Sequence, residues 1–234
     1  MLISHHYRFI FLHIYKTAGS AIAAALEPFA GHSVHELPYH ITAREVQQEI
    51  GRSQYPLLNV NPKAWEEYFT FAVVRNPWDW ILSLYSWLRM YPQHDLCQFA
   101  RTLGCVNGFV RWLHDGIPVA PMTPHASRAL YRRCQSEFVC DDHGTVIVDY
   151  IARLESLDQE FTMICDRLGV SARLNHTNRS VRSDYREAYN DESIQMVEQM
   201  FKPDIELFNY RFDSPDCHRA APTRQFSTSP TGAN

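Results

Sequence analysis

Along the chain, apolar runs alternate with small or polar breaks in the order strand, loop, helix. Residues 7–15 (YRFIFLHIY) are an apolar and aromatic run of strand length, the pattern of a buried strand. A small-residue turn follows at 16–20 (KTAGS), and the alanine-rich stretch 20–29 predicts a helix ending near Pro28. Thr42 and Glu45 stand at capping-box spacing, which places a helix over 43–50 with its stop at Gly51. A loop with prolines at 56 and 62 leads to residues 68–74 (YFTFAVV), a continuous β-prone run that predicts a central parallel strand. Asn76 is a favourable N-cap and Pro77 suits a first helical position. The helix they open runs to about Met90, with Ile81, Leu84, Tyr85 and Leu88 on one face. This order predicts an α/β fold with a central, mainly parallel sheet flanked by helices.

The second half is less regular. Residues 91–135 read as helical, broken at Pro92, Gly116, Pro118, Pro121 and Pro124. Residues 137–140 and 146–148 flank Asp141-Asp142-His143-Gly144, a hairpin signature. Residues 157–168 predict a helix closed by Gly169, and 191–201 another that stops before Pro203. From 214 the chain is polar and rich in Pro, Ser and Thr, which predicts a disordered tail over 214–234 behind one domain over 1–213.

A net charge of −4 over 234 residues gives no polyanion-binding face and argues against a nucleic-acid partner. No run of about 18 apolar residues exists to span a membrane. His5, His6 and Arg8 interrupt the N-terminus where a signal peptide would be apolar, so a cytoplasmic location is expected. The 6 cysteines contain no C-x-x-C pair and are expected to be reduced, with Cys134 and Cys140 the one pair that could cross-link over a hairpin. His5-His6 lacks a third ligand at useful spacing, so no metal is expected.

The chemistry starts at the first loop. A small-residue turn opening a helix offers free backbone N–H groups and the positive end of the helix dipole, which suits phosphate or sulfate. Lys16 adds charge in a chain whose only other lysines are 63 and 202. Thr17 and Ser20 add hydroxyls, Ala18 keeps the loop small, and Gly19 permits close backbone approach. The Walker pattern G-x-x-x-x-G-K-[ST] is absent, which argues against an ATPase or GTPase. An ordinary βα turn with a surface lysine is the plain alternative. In the second unit, FAVVRNPWDWILSLYSWL, Arg75 ends a strand and Ser83 lies about two turns into the next helix. Both can face the sheet edge where open α/β folds bind ligands, and arginine brings a fork for phosphate.

FIFLHIYKTAGSAI resembles the 5′-phosphosulfate-binding loop of sulfotransferases that use 3′-phosphoadenosine-5′-phosphosulfate (PAPS), with Tyr15 where that family has proline and Ser20-Ala21 for Thr-Ser. The second segment resembles their V-R-[ND]-P motif and following S-x-Y, which bind the donor's 3′-phosphate; Arg75 and Ser83 match, and Trp80 stands where relatives often carry arginine. VDYIARLESLDQEF and NHTNRSVRSDYREAY extend the likeness over residues 6–212, closest to the branch of bacterial and carbohydrate sulfotransferases. The resemblance implies a P-loop-like three-layer fold, PAPS as co-substrate, and a small-molecule or carbohydrate hydroxyl as acceptor. It implies Lys16, Thr17, Ala18, Gly19, Ser20, Arg75 and Ser83 as donor-binding residues, with Asn178, Ser180 and Arg182 as candidates for a loop over the nucleotide. Arg153 and Glu155 read as a structural ion pair.

Transfer to a hydroxyl needs a base, and histidine titrates near neutrality. His40 is the choice among 12 histidines, because Y-H-I-T-A-R-E resembles the family's H-x-T-A-x-E segment, where a catalytic histidine lies. The plain alternative is a histidine bonded to the helix entry. His35 and Glu36 are the reserves, and His13 reads as core. Trp78, Trp80, Trp87 and Trp112 are candidates for a stacking platform or for core. A small-molecule kinase and a nucleotide-binding domain without turnover remain alternatives.

Overall fold

The computed structural model describes residues 1–32, 40–52, 61, 63–90, 97–116, 129, 131–175 and 184–213. Its sheet has strands β1 (Leu2–Ser4), β2 (Phe9–Leu12), β3 (Gly31–His32), β4 (Phe69–Val74) and β5 (Tyr150–Arg153), in the spatial order β3-β1-β2-β4-β5. β2, β4 and β5 are parallel, with Leu12 opposite Ala72 and Val74 opposite Arg153. β1 is antiparallel to β2 and β3.

Alternate residues of the parallel strands feed two cores. Phe9, Phe11, Phe71, Val73 and Ala152 face helices α1 (Gly19–Ala30) and α7 (Leu157–Leu168). Ile10, Leu12, Ala72, Val74 and Ile151 face the other layer. That layer holds α2 (Ala43–Arg52), the single turn α3 (Ala64–Glu67), α4 (Pro77–Met90), α5 (Cys97–Thr102), α6 (Val106–Asp115), α8 (Asp191–Met200) and α9 (Lys202–Phe208). The result is the three-layer α/β arrangement expected.

Local signals explain most boundaries. Glu45 Oε2 accepts from the Thr42 backbone N–H at 2.8 Å while Thr42 Oγ1 accepts from Glu45 N, so the capping box forms. Asn76 Oδ1 accepts from Trp78 N at 3.1 Å and opens α4. Gly169 closes α7 with φ 66°.

Several expectations change. Helix α2 runs through Gly51 to Arg52 instead of stopping at the glycine. Helix α1 passes Pro28 and reaches Ala30, because Ser4 Oγ donates to Phe29 O at 2.6 Å and Ala30 is buried. Pro203 stops one helix and starts the next, at the first turn of α9. The expected hairpin shrinks to the single bridge Cys140–Val146. Residues Ser136–Phe138 instead form a 3₁₀ turn, capped by the buried Asp204 carboxylate, which accepts from the Gln135 and Ser136 N–H groups. The chain after the bridge forms β5, a third parallel strand that the apolar pattern does not announce. Cys105, Cys134, Cys140 and Cys165 are free thiols. The tail beyond Asp213, and His35, Glu36, Asn178, Ser180 and Arg182, lie outside the described residues. Among the described residues no helix is long and apolar enough to cross a membrane.

Candidate active site

The site stands at the C-terminal edge of β2 and β4, where both chains leave the sheet. After Leu12 the chain enters a tight turn. Lys16 and Ala18 have φ of 61° and 63°, and Thr17 between them does not. Alternation of this kind turns successive N–H groups to one side, an anion-binding nest. A non-glycine residue there costs about 1–2 kcal/mol. The first-turn amides of Gly19 and Ser20 add donors that no carbonyl within α1 can accept.

Each loop side chain has a definite place. Lys16 is half-buried, with its ammonium 5.4 Å from the centre of the Trp87 ring. Thr17 is fully buried and its hydroxyl donates to Ile14 O at 2.8 Å, so it braces the turn from within. Ser20 is exposed. Gly19 answers a need the sequence did not display: a Cβ there would lie 1.8 Å from Cδ2 of the His13 ring. The close approach at Gly19 is made by His13.

Arg75 is 8% exposed and held by several partners. Its backbone N–H donates to Gln135 Oε1 at 2.9 Å, and Gln135 Nε2 donates to its carbonyl at 2.8 Å. A side-chain amide thus continues the ladder where β4 ends. The guanidinium donates through Nη1 to Lys16 O at 3.0 Å, which ties the two loops together. Its Nε and Nη2 both reach Asp79 Oδ2, at 2.7 and 2.6 Å. Three of the five guanidinium N–H donors are therefore engaged among the described residues. Asp79 was missed in the sequence, although an Arg-x-x-x-Asp spacing across a helix start is the signal for it.

Asp79, Ser83 and Trp87 recur every four residues along α4 and share a face. The outer two touch Arg75 and Lys16, which puts the buried Ser83 on the face turned to the loops. The neighbouring Asn76 donates from its backbone to Glu155 Oε1 at 2.6 Å and from its side chain to Arg211 O at 3.1 Å. Burial raises the Glu155 carboxyl pKa, against the lowering effect of that Asn76 bond. Arg153 and Glu155, expected as an ion pair, are joined through Tyr210 among the described residues. The Tyr210 hydroxyl donates to Glu155 at 3.2 Å, and the Arg153 guanidinium lies 4.7 Å from the Tyr210 ring centre.

His40 stands at the entry to α2, half-buried, with Nδ1 3.1 Å from His13 O. Its ring is 5.2 Å from that of His13 and 5.5 Å from that of Tyr15. Burial lowers its pKa, partly opposed by the bond to His13 O. His13 is buried as expected, and burial pushes it down to about 3.

Trp80 is fully buried, its indole N–H donating to Tyr15 O at 2.7 Å with the rings 4.6 Å apart. Two of the departures from the resembled motifs, Tyr15 and Trp80, are thus one packed pair. Trp78 and Trp112 are also core. Of the four tryptophans proposed as a platform, only Trp87 borders the site. Among the described residues no group of His, Cys, Asp and Glu is arranged to hold a metal ion.

A family model described as "Sulfotransferase family" matches residues 1–211. No curated protein and no solved structure matches the chain.

Proposed function

The chain belongs to the sulfotransferase family, and from that premise we propose that it moves a sulfuryl group from PAPS to an acceptor hydroxyl, a carbohydrate being the acceptor class the resemblance favours, and releases adenosine 3′,5′-bisphosphate. The observation that carries the reading is the hydrogen bond from Arg75 Nη1 to Lys16 O, which joins the two donor motifs at one sheet edge. His40 stands beside the same turn.

The residues present fit a bisphosphorylated nucleotide in kind. The Lys16–Ser20 turn supplies a nest, a helix N-terminus and an ammonium for the 5′ end. Arg75 and Ser83 supply cationic and hydroxyl donors for the 3′-phosphate. In the transfer, the acceptor oxygen bonds to sulfur as the bond from sulfur to the bridging phosphate oxygen breaks. His40 takes the hydroxyl proton, and Lys16 with the turn amides opposes the negative charge on the leaving side. The chain's contribution is position and electrostatics. A domain extending over 1–213 and a cytoplasmic location belong to the same reading.

The test is release of adenosine 3′,5′-bisphosphate from PAPS over a panel of hydroxyl acceptors, with ATP and Mg²⁺ as the competing donor. PAPS-dependent release is expected, and Lys16→Ala should lower kcat by roughly 10²–10³-fold. Turnover of ATP instead, or a Lys16→Ala protein at the wild-type rate, would refute the proposal.

A further inference from the structure

His40 and the donor loop are joined by one residue whose features each have a visible reason. His13 follows the last ladder pair of β2, Leu12 with Ala72, so its carbonyl lies past the sheet and accepts from the side. That oxygen is 3.1 Å from His40 Nδ1. The His13 ring is stacked 6.1 Å from Phe11 on one side, and His40 lies edge-on to it at 74°. Its far edge fills the space above Gly19, where a Cβ would be 1.8 Å from Cδ2 and 2.0 Å from Nε2.

A carbonyl oxygen only accepts, and a neutral imidazole carries one N–H. A bond between His40 Nδ1 and His13 O therefore requires the proton on Nδ1 and leaves the lone pair on Nε2. We infer that His13 is a positioning residue: its carbonyl selects the Nδ1–H tautomer of His40, its ring, seated on Gly19, fixes the His40 plane, and Nε2 is the atom that receives the acceptor's proton. This rests on the reading of His40 as base. It also gives Gly19 a second task, since any side chain there would drive the His13 ring, and His40 with it, away from the turn. Burial keeps both rings neutral near pH 7, so His13 brings no competing charge.

The experiment is a long-range ¹H–¹⁵N correlation spectrum of the ¹⁵N-labelled full chain at neutral pH, with His40 assigned by its disappearance in His40→Ala. The expected spectrum gives His40 a pyrrole-type Nδ1 and a pyridine-type Nε2. A pyrrole-type Nε2 would overturn the proposal. In turnover, His13→Ala should lower kcat about tenfold with the donor KM little changed, because orientation and not donor binding is lost. His13→Phe, which keeps a planar ring and the carbonyl, should restore most of the rate. Equal losses in both variants would also overturn it. The spectrum needs neither donor nor acceptor. A chain with the Nδ1–H tautomer but no transfer activity would sink the transferase reading, and with it the role of Nε2, while leaving the selection of the tautomer by His13 supported.

Discussion

Arg75 and Lys16 follow adjacent parallel strands and touch each other, yet their loops are held in opposite ways. The Arg75 loop is cross-braced: Gln135 pairs with its backbone in both directions, Asp79 takes its guanidinium, and Glu155 and Arg211 hold Asn76. The Lys16 loop is held through its own carbonyls. Thr17 bonds within the turn, and Arg75 and Trp80 each donate to one of its carbonyls. Two of its residues keep a backbone conformation that L-amino acids avoid. A group that must stay put, such as a 3′-phosphate, suits the braced loop. Charge that develops during a reaction suits amides already turned outward, because the strain has been met in folding and no reorganisation remains for the chemical step. On the proposed reading, the two halves separate anchoring from chemistry.

Breaking the braced half should cost stability. Gln135→Ala leaves the Arg75 N–H and carbonyl unpaired in a fully buried place and opens a cavity, so unfolding in urea should show a loss of about 2–4 kcal/mol. Weaker bisphosphate binding should accompany it, since Arg75 loses its backbone anchor. The strained half should respond with the opposite sign. Ala18→Gly removes the side chain from a φ of 63° and should stabilise the chain by about 0.5–1 kcal/mol, read as a higher melting temperature. If turnover falls in that variant while stability rises, the strain serves the reaction. If Ala18→Gly destabilises the chain, the contrast between the halves is wrong.

The parts of this site written in local sequence were legible. The apolar runs gave β2 and β4, the Thr42–Glu45 and Asn76-Pro77 signals gave the starts of α2 and α4, and Gly169 gave the end of α7, because each depends on residues within a turn of one another. Strand β5 was missed because its buried members include Arg153, which hides the apolar pattern a central strand normally shows. β1 is only three residues long. The site's supporting contacts were beyond reach for a different reason. Gln135 lies 60 residues from Arg75, and Tyr15 lies 65 from Trp80. Gly19 showed only that something approaches closely, and the structure supplies His13. Nothing in the turn's composition announced that Lys16 and Ala18, rather than Gly19, would be the residues with positive φ.

The most direct test of the central claim is calorimetric titration of adenosine 3′,5′-bisphosphate into the wild-type chain and Arg75→Ala, with 5′-AMP as the control. The account predicts that the bisphosphate binds the wild type more tightly than 5′-AMP does. Arg75→Ala should lose roughly 10²-fold or more of that affinity, the size expected for truncating one partner of a buried charged contact, while 5′-AMP is little affected. Equal affinity for the two nucleotides, or bisphosphate binding unchanged in Arg75→Ala, would contradict the assignment of the braced loop as the 3′-phosphate anchor.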